Sequence, residues 1–119
     1  MSVRRLTAVL AVVAAVVGIT ASSVLGAPAQ AKTTVVKVTA GDLFFKLSTK
    51  SAKAGKVTFK LTNTGVLKHD FWIAGKKTPL IGHGKTATLT VTIKKGSNPY
   101  KCTFPGHAAG GMKGVFTGK

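Results

Sequence analysis

From Thr33 onward, apolar side chains recur at every second position, and no stretch keeps the three-to-four spacing of an amphipathic helix. Lys56–Asn63 sets Val57, Phe59 and Leu61 on one face and Thr58, Lys60 and Thr62 on the other. In Thr86–Ile93, Ala87, Leu89, Val91 and Ile93 alternate with four threonines. Thr33–Thr39, Leu43–Leu47, His69–Ile73, Tyr100–Phe104 and Gly114–Thr117 are shorter strand candidates. Turn-forming clusters divide them, among them Ala54-Gly55, Asn63-Thr64-Gly65 and Gly96-Ser97-Asn98-Pro99. Seven short strands at this spacing predict an all-β antiparallel sandwich or barrel. The threonine-rich faces suit a sheet with one side in water.

The first 31 residues follow a different pattern. Arg4 and Arg5 precede a nearly unbroken Ala/Val/Leu run over Leu6–Ile19, and small residues lead to Ala29-Gln30-Ala31. That order of charged, apolar and small-residue segments predicts a signal peptide cleaved after Ala31. Residues 32–119 then form a single domain, and the protein is exported to the periplasm or the extracellular side of the cell envelope. Membrane association is expected only if the leader stays uncleaved as an anchor.

Composition narrows the chemistry. Glu is absent, and Asp42 and Asp70 are the only carboxylate side chains in 119 residues. Paired-carboxylate hydrolysis and two-metal phosphoryl transfer are thereby excluded. Cys102 is the one cysteine, so no internal disulfide and no four-ligand zinc site of the cysteine-rich kinds can form. Residues 32–119 hold sixteen lysines, both aspartates and no arginine, a net charge of +14. Outside the membrane that charge does not point to nucleic acid, and the arginine forks and aromatic–basic clusters of nucleic-acid recognition are missing. It either keeps the surface solvated or steers a partner with an acidic docking surface.

One stretch concentrates the remaining chemistry. Tyr100-Lys-Cys-Thr-Phe-Pro-Gly-His-Ala-Ala-Gly-Gly-Met-Lys-Gly places Cys102, His107 and Met112 in a C-x4-H-x4-M spacing. On a straight strand Cys102 and His107 would stand about 16 Å apart, but Pro105, Gly106, Gly110 and Gly111 bend the segment into a loop. A thiolate, an imidazole and a thioether are soft donors that select copper, and two imidazoles, one thiolate and a weak Met make the electron-transfer copper arrangement. The second imidazole is His69 or His83. His69 is favoured because a strand whose Phe71 and Ile73 enter the core holds a ligand rigidly. His83, between two glycines, reads as an exposed turn residue.

Tyr100-x-Cys102, Phe104-Pro-Gly-His107, Met112-Lys-Gly114 and the upstream Lys68-His69-Asp-Phe together resemble the type 1 (blue) copper proteins, the cupredoxins of plastocyanin, azurin and auracyanin type. The resemblance spans about 45 residues in two blocks from Asn63 onward. It implies a Greek-key β-sandwich of seven to eight strands with one type 1 copper ion at one end. It also implies His69, Cys102, His107 and Met112 as the ligands. Asp70 is a departure, since many members carry Asn after the first histidine; an Asp keeps the acceptors and adds a charge.

Four protein ligands leave no open position for a substrate, so the expected role is not enzymatic. It is a monomeric carrier of single electrons between redox partner proteins. The competing expectation is a copper-binding carrier that delivers metal rather than electrons.

Overall fold

The computed structural model describes residues 33–119; the expected leader over residues 1–31 and its cleavage point lie outside the described residues. Nine strands follow in order: β1 (Thr34–Gly41), β2 (Phe44–Leu47), β3 (Ser51–Ala52), β4 (Gly55–Asn63), β5 (Trp72–Ile73), β6 (Lys76–Lys77), β7 (Thr86–Ile93), β8 (Gly96–Lys101) and β9 (Lys113–Gly118). They form a four-stranded sheet, β2-β1-β4-β7, and a five-stranded sheet, β3-β9-β8-β5-β6. The architecture is the all-β Greek-key sandwich.

Period-two patterning explains the layering. Val36, Val38 and Ala40 of β1, and Val57, Phe59 and Leu61 of β4, are buried, while the residues between them face outward or lie at intermediate depth. On β7 the four threonines are exposed, and the Thr58 and Thr90 hydroxyls pair across strands at 2.8 Å. Aromatic rings fill the space between the sheets: Phe59 packs on Phe71 and Phe116 with centroids 5.1 and 5.3 Å apart, and Phe71 on Tyr100 at 5.4 Å. Such offset and edge-on pairs contribute about 0.5–1.5 kcal/mol each beyond their burial.

Three expectations are corrected. The sheets are mixed rather than purely antiparallel, because β1 runs parallel to β4 and β3 parallel to β9. A parallel pair needs a crossover, and β2 and β3 supply it between β1 and β4. The strand expected over Tyr100–Phe104 lies instead at Gly96–Lys101, so the segment read as a turn is itself a strand. Its cause is Asn98, a buried side chain that accepts from the Lys94 N–H and donates to the Lys94, Gly96 and Phe116 carbonyls. Pro99 is tolerated because β5 ends at Ile73, opposite Tyr100. Finally, β5 is two residues long. His69 precedes it and pairs with Ile81 through a single bridge, donating its N–H to Ile81 and accepting the Ile81 N–H.

The C-terminal ends of β1, β4 and β8 and the starts of β2 and β9 meet at one end of the sandwich. His69, Cys102, His107 and Met112 belong to the connections there.

Candidate metal centre

His69 is held from several directions. Its backbone pairs with Ile81, and the alternation His69, Phe71, Ile73 sends all three side chains inward, each with no exposed surface. Asn63, wholly buried at the end of β4, ties the preceding loop in place. Its Nδ2 donates to the Leu67 and Ile81 carbonyls, both at 2.8 Å, and its Oδ1 accepts the Gly65 N–H at 2.9 Å.

Cys102 and His107 sit on a loop closed by its own backbone. The Cys102 N–H donates to the Met112 carbonyl at 3.0 Å, and the Met112 N–H donates to the His107 carbonyl at 3.1 Å. Between them, Gly106 and Gly111 take φ values of 83° and 115°, which favour glycine. The loop therefore returns on itself, and Met112, with no exposed surface, stands where it rejoins the sheet. Phe104 lies against the His107 ring with centroids 4.5 Å apart.

Three donor atoms converge. His69 Nδ1 lies 3.1 Å from His107 Nδ1, and Cys102 Sγ lies 3.9 and 3.6 Å from the same two nitrogens. All three residues are buried. Zinc, for comparison, bonds imidazole nitrogen at about 2.0 Å and thiolate sulfur at about 2.3 Å, so three such donors spread round one ion stand about 3.5–3.7 Å apart. The observed spacing fits one such ion, and two imidazoles with one thiolate form a copper donor set. His83, the competitor for the second imidazole, is outside this cluster. It is exposed, and its Nδ1–H donates to the Gly65 carbonyl at 2.8 Å.

Burial pushes the Cys102 thiol above its ordinary pKa, and the nearby Asp70 carboxylate raises it further, while the Asp70 and Phe104 backbone N–H groups oppose them. Binding a metal displaces that proton. Asp70 itself is buried, and Thr103 satisfies it twice. One carboxylate oxygen accepts the Thr103 N–H at 2.6 Å and the other accepts its hydroxyl. The residue after the first histidine thus grips the residue after the cysteine.

Two features escaped the sequence reading. The first is Asp42, in the two-residue turn between β1 and β2. It accepts the Val66 and Leu67 N–H groups, both at 3.1 Å, and its Oδ1 lies 3.1 Å from His69 Nε2. Those two N–H groups and His69 hold its carboxyl below the usual range. The second is Trp72, which register places between Lys77 and Lys101, with Lys101 opposite Lys113, so that lysines expected to steer a partner share one row of the five-stranded sheet. Lys101 Nζ stands 5.3 Å from the centre of the Trp72 ring. Lys101 and Lys113 adjoin Cys102 and Met112 in the chain.

The family profile described as copper binding proteins, plastocyanin/azurin family, matches residues 30–118. Among solved structures, the fold is similar to dithionite-reduced auracyanin from the photosynthetic bacterium Roseiflexus castenholzii, at 24% identity and a TM-score of 0.62, covering 75% of this chain and 98% of that one. It is also similar to auracyanin B, at 22% identity and a TM-score of 0.62, covering 72% of this chain and 88% of that one. An azurin (Az-iso2) from Methylomonas sp. strain J matches at 19% identity and a TM-score of 0.58, covering 72% of this chain and 98% of that one. No curated protein sequence matches the chain.

Proposed function

The chain belongs to the plastocyanin/azurin family of copper-binding proteins, and from that premise we propose that it is an exported blue copper protein carrying single electrons between redox partners. The ion would be held by His69 Nδ1, Cys102 Sγ and His107 Nδ1, with Met112 as a weak fourth donor. When bound, copper supplies a one-electron couple between Cu(II) and Cu(I). The observation that carries this reading is the buried convergence of two imidazole nitrogens and one thiol sulfur within 3.9 Å of one another.

The protein's own part is to hold these donors still. Asn63, Asp70 and the backbone-closed loop restrain both histidines and the cysteine, so the two oxidation states meet nearly the same donors. The donor set, completed by Met112, leaves no place for a substrate, which favours a carrier over an enzyme. His107 reaches the surface at 6% exposure, amid small loop residues and the exposed Phe104. Leu43, Val66 and Leu67 are also exposed at this end. Exposed apolar side chains around a nearly buried histidine suit the brief, small-area encounters of redox proteins. The aligned Lys77, Lys101 and Lys113, with Lys68 beside His69, support an acidic partner surface. The A-x-A leader pattern supports export.

Adding Cu(II) to the metal-free protein is expected to give one intense visible band at one ion per chain, bleached on reduction with the ion retained. Release of the metal on reduction would favour metal delivery over electron transfer. With an acidic partner, the bimolecular electron-transfer rate should fall as salt rises, because the screening length shortens from about 30 Å at 0.01 M to about 8 Å at 0.15 M. A flat or rising profile would remove the acidic partner from this account.

A further inference from the structure

Asp42 occupies a position that loop bracing alone does not explain. Its Oδ2 accepts the Val66 N–H, and its Oδ1 accepts the Leu67 N–H while also facing His69 Nε2 at 3.1 Å across 27 residues of sequence. A carboxylate in that state only accepts, so the ring proton of His69 lies on Nε2. That leaves the Nδ1 lone pair aimed at His107 and Cys102. The surroundings are shaped to the carboxylate. A Cβ on Gly65 would overlap Asp42 Oδ1. The next residue, Leu43, takes a φ of 66°, a left-handed backbone that an L-residue adopts only under tertiary constraint. Leu43 also lies against Gly110 and Gly111 of the histidine loop, so one strained turn touches both halves of the centre.

We propose that Asp42 is a positioning residue for the metal centre: it fixes His69 as the Nε2–H tautomer and, through its charge, makes Nδ1 the stronger donor, favouring the oxidised over the reduced ion. The proposal rests on the reading of His69 as a ligand. A neutral acceptor in the same place would fix the tautomer equally well. What the carboxylate adds is negative charge on the far side of the ring, which raises ligand basicity. Tautomer and reduction potential are therefore separate readouts of the two parts.

Nitrogen-15 NMR of the metal-free protein needs no variant and is expected to show the His69 proton on Nε2; a proton on Nδ1 overturns the proposal. Asp42→Asn keeps the shape and one acceptor oxygen. It should keep the tautomer, and at fixed applied potential raise the Cu(I):Cu(II) ratio about tenfold, equivalent to about 59 mV for one electron. An unchanged potential in a folded Asp42→Asn protein would reduce Asp42 to a loop brace and overturn the charge argument. Asp42→Ala should mix the tautomers and weaken copper binding about ten- to hundredfold; an unmixed tautomer there also overturns the proposal. His69→Ala tests the underlying reading by itself. If that variant retains the wild-type visible band, His69 is not a ligand, even where the metal-free tautomer is as expected.

Discussion

The two halves of the metal centre are built on opposite plans. The Cys102–Met112 half is mostly local: a loop of about ten residues folds on its own backbone hydrogen bonds, with glycines at the bends and one distant tie, from Thr103 to Asp70. The His69 half is assembled from afar. Its side chain answers to Asp42, 27 residues earlier, and its backbone to Ile81, which Asn63 reaches across 18 residues. A loop that carries its own geometry can supply donors of the right type and spacing. A donor that must remain fixed while charge changes is better held by the framework, since buried hydrogen-bonded groups move only together. The difference separates chemical identity, placed on the loop, from rigidity, placed on the sheets.

The largest effect expected from breaking this arrangement falls on the local half. Cys102→Ser removes the only soft anionic donor and should abolish the intense visible band outright, while far-ultraviolet circular dichroism stays that of the parent sandwich. A surviving band would mean that the colour does not arise from copper–thiolate bonding. Next comes the framework half. Asn63→Ala withdraws the three hydrogen bonds of a buried side chain and leaves the Gly65 N–H and Leu67 carbonyl without their partner, a loss of about 2–3 kcal/mol. Urea unfolding of the metal-free protein should show it as a lowered midpoint with an unchanged slope. A loss below about 0.5 kcal/mol, the range of an ordinary surface change, would contradict the claim that Asn63 secures the His69 side. The smallest effect is expected at His83, whose one hydrogen bond runs from an exposed ring to Gly65. His83→Ala should cost no more than about 1 kcal/mol and leave the spectrum and potential as they were. A colourless His83→Ala protein would transfer the second imidazole from His69 to His83.

The same division decides what could be read from the chain. Cys102, His107 and Met112 were legible because their spacing and their bends lie in one run of sequence, and β4 and β7 because alternation over eight or nine residues is a strong signal. The strand-like setting of His69 favours it over His83, and its side chain does lie with Phe71 and Ile73 in the core. Asp42 was not legible. It sits in a turn, where aspartate is ordinary, and nothing local marks a residue whose partners stand more than twenty positions away. Asn98 misled for a related reason. In sequence Gly-Ser-Asn-Pro reads as a turn, but burial of the Asn98 amide and its bonds to Lys94 and Phe116 carry the strand through it. Local propensity gave way to a buried polar group that had to be satisfied.

Both carboxylates of the chain are committed at the metal end, Asp42 to a histidine and Asp70 to the residue after the cysteine. No other acidic side chain remains to offset the lysines elsewhere. Two copies approaching each other therefore carry net charge of the same sign, and at low salt they repel. On the proposed reading as an electron carrier, charge held by one molecule would be insulated from its neighbours of the same kind, and the population would act as separate couriers rather than as a conducting pool. Salt thins that repulsion as the screening length falls to about 8 Å at 0.15 M, so traffic between identical copies would quicken under the same conditions that are expected to slow delivery to the proposed acidic partner.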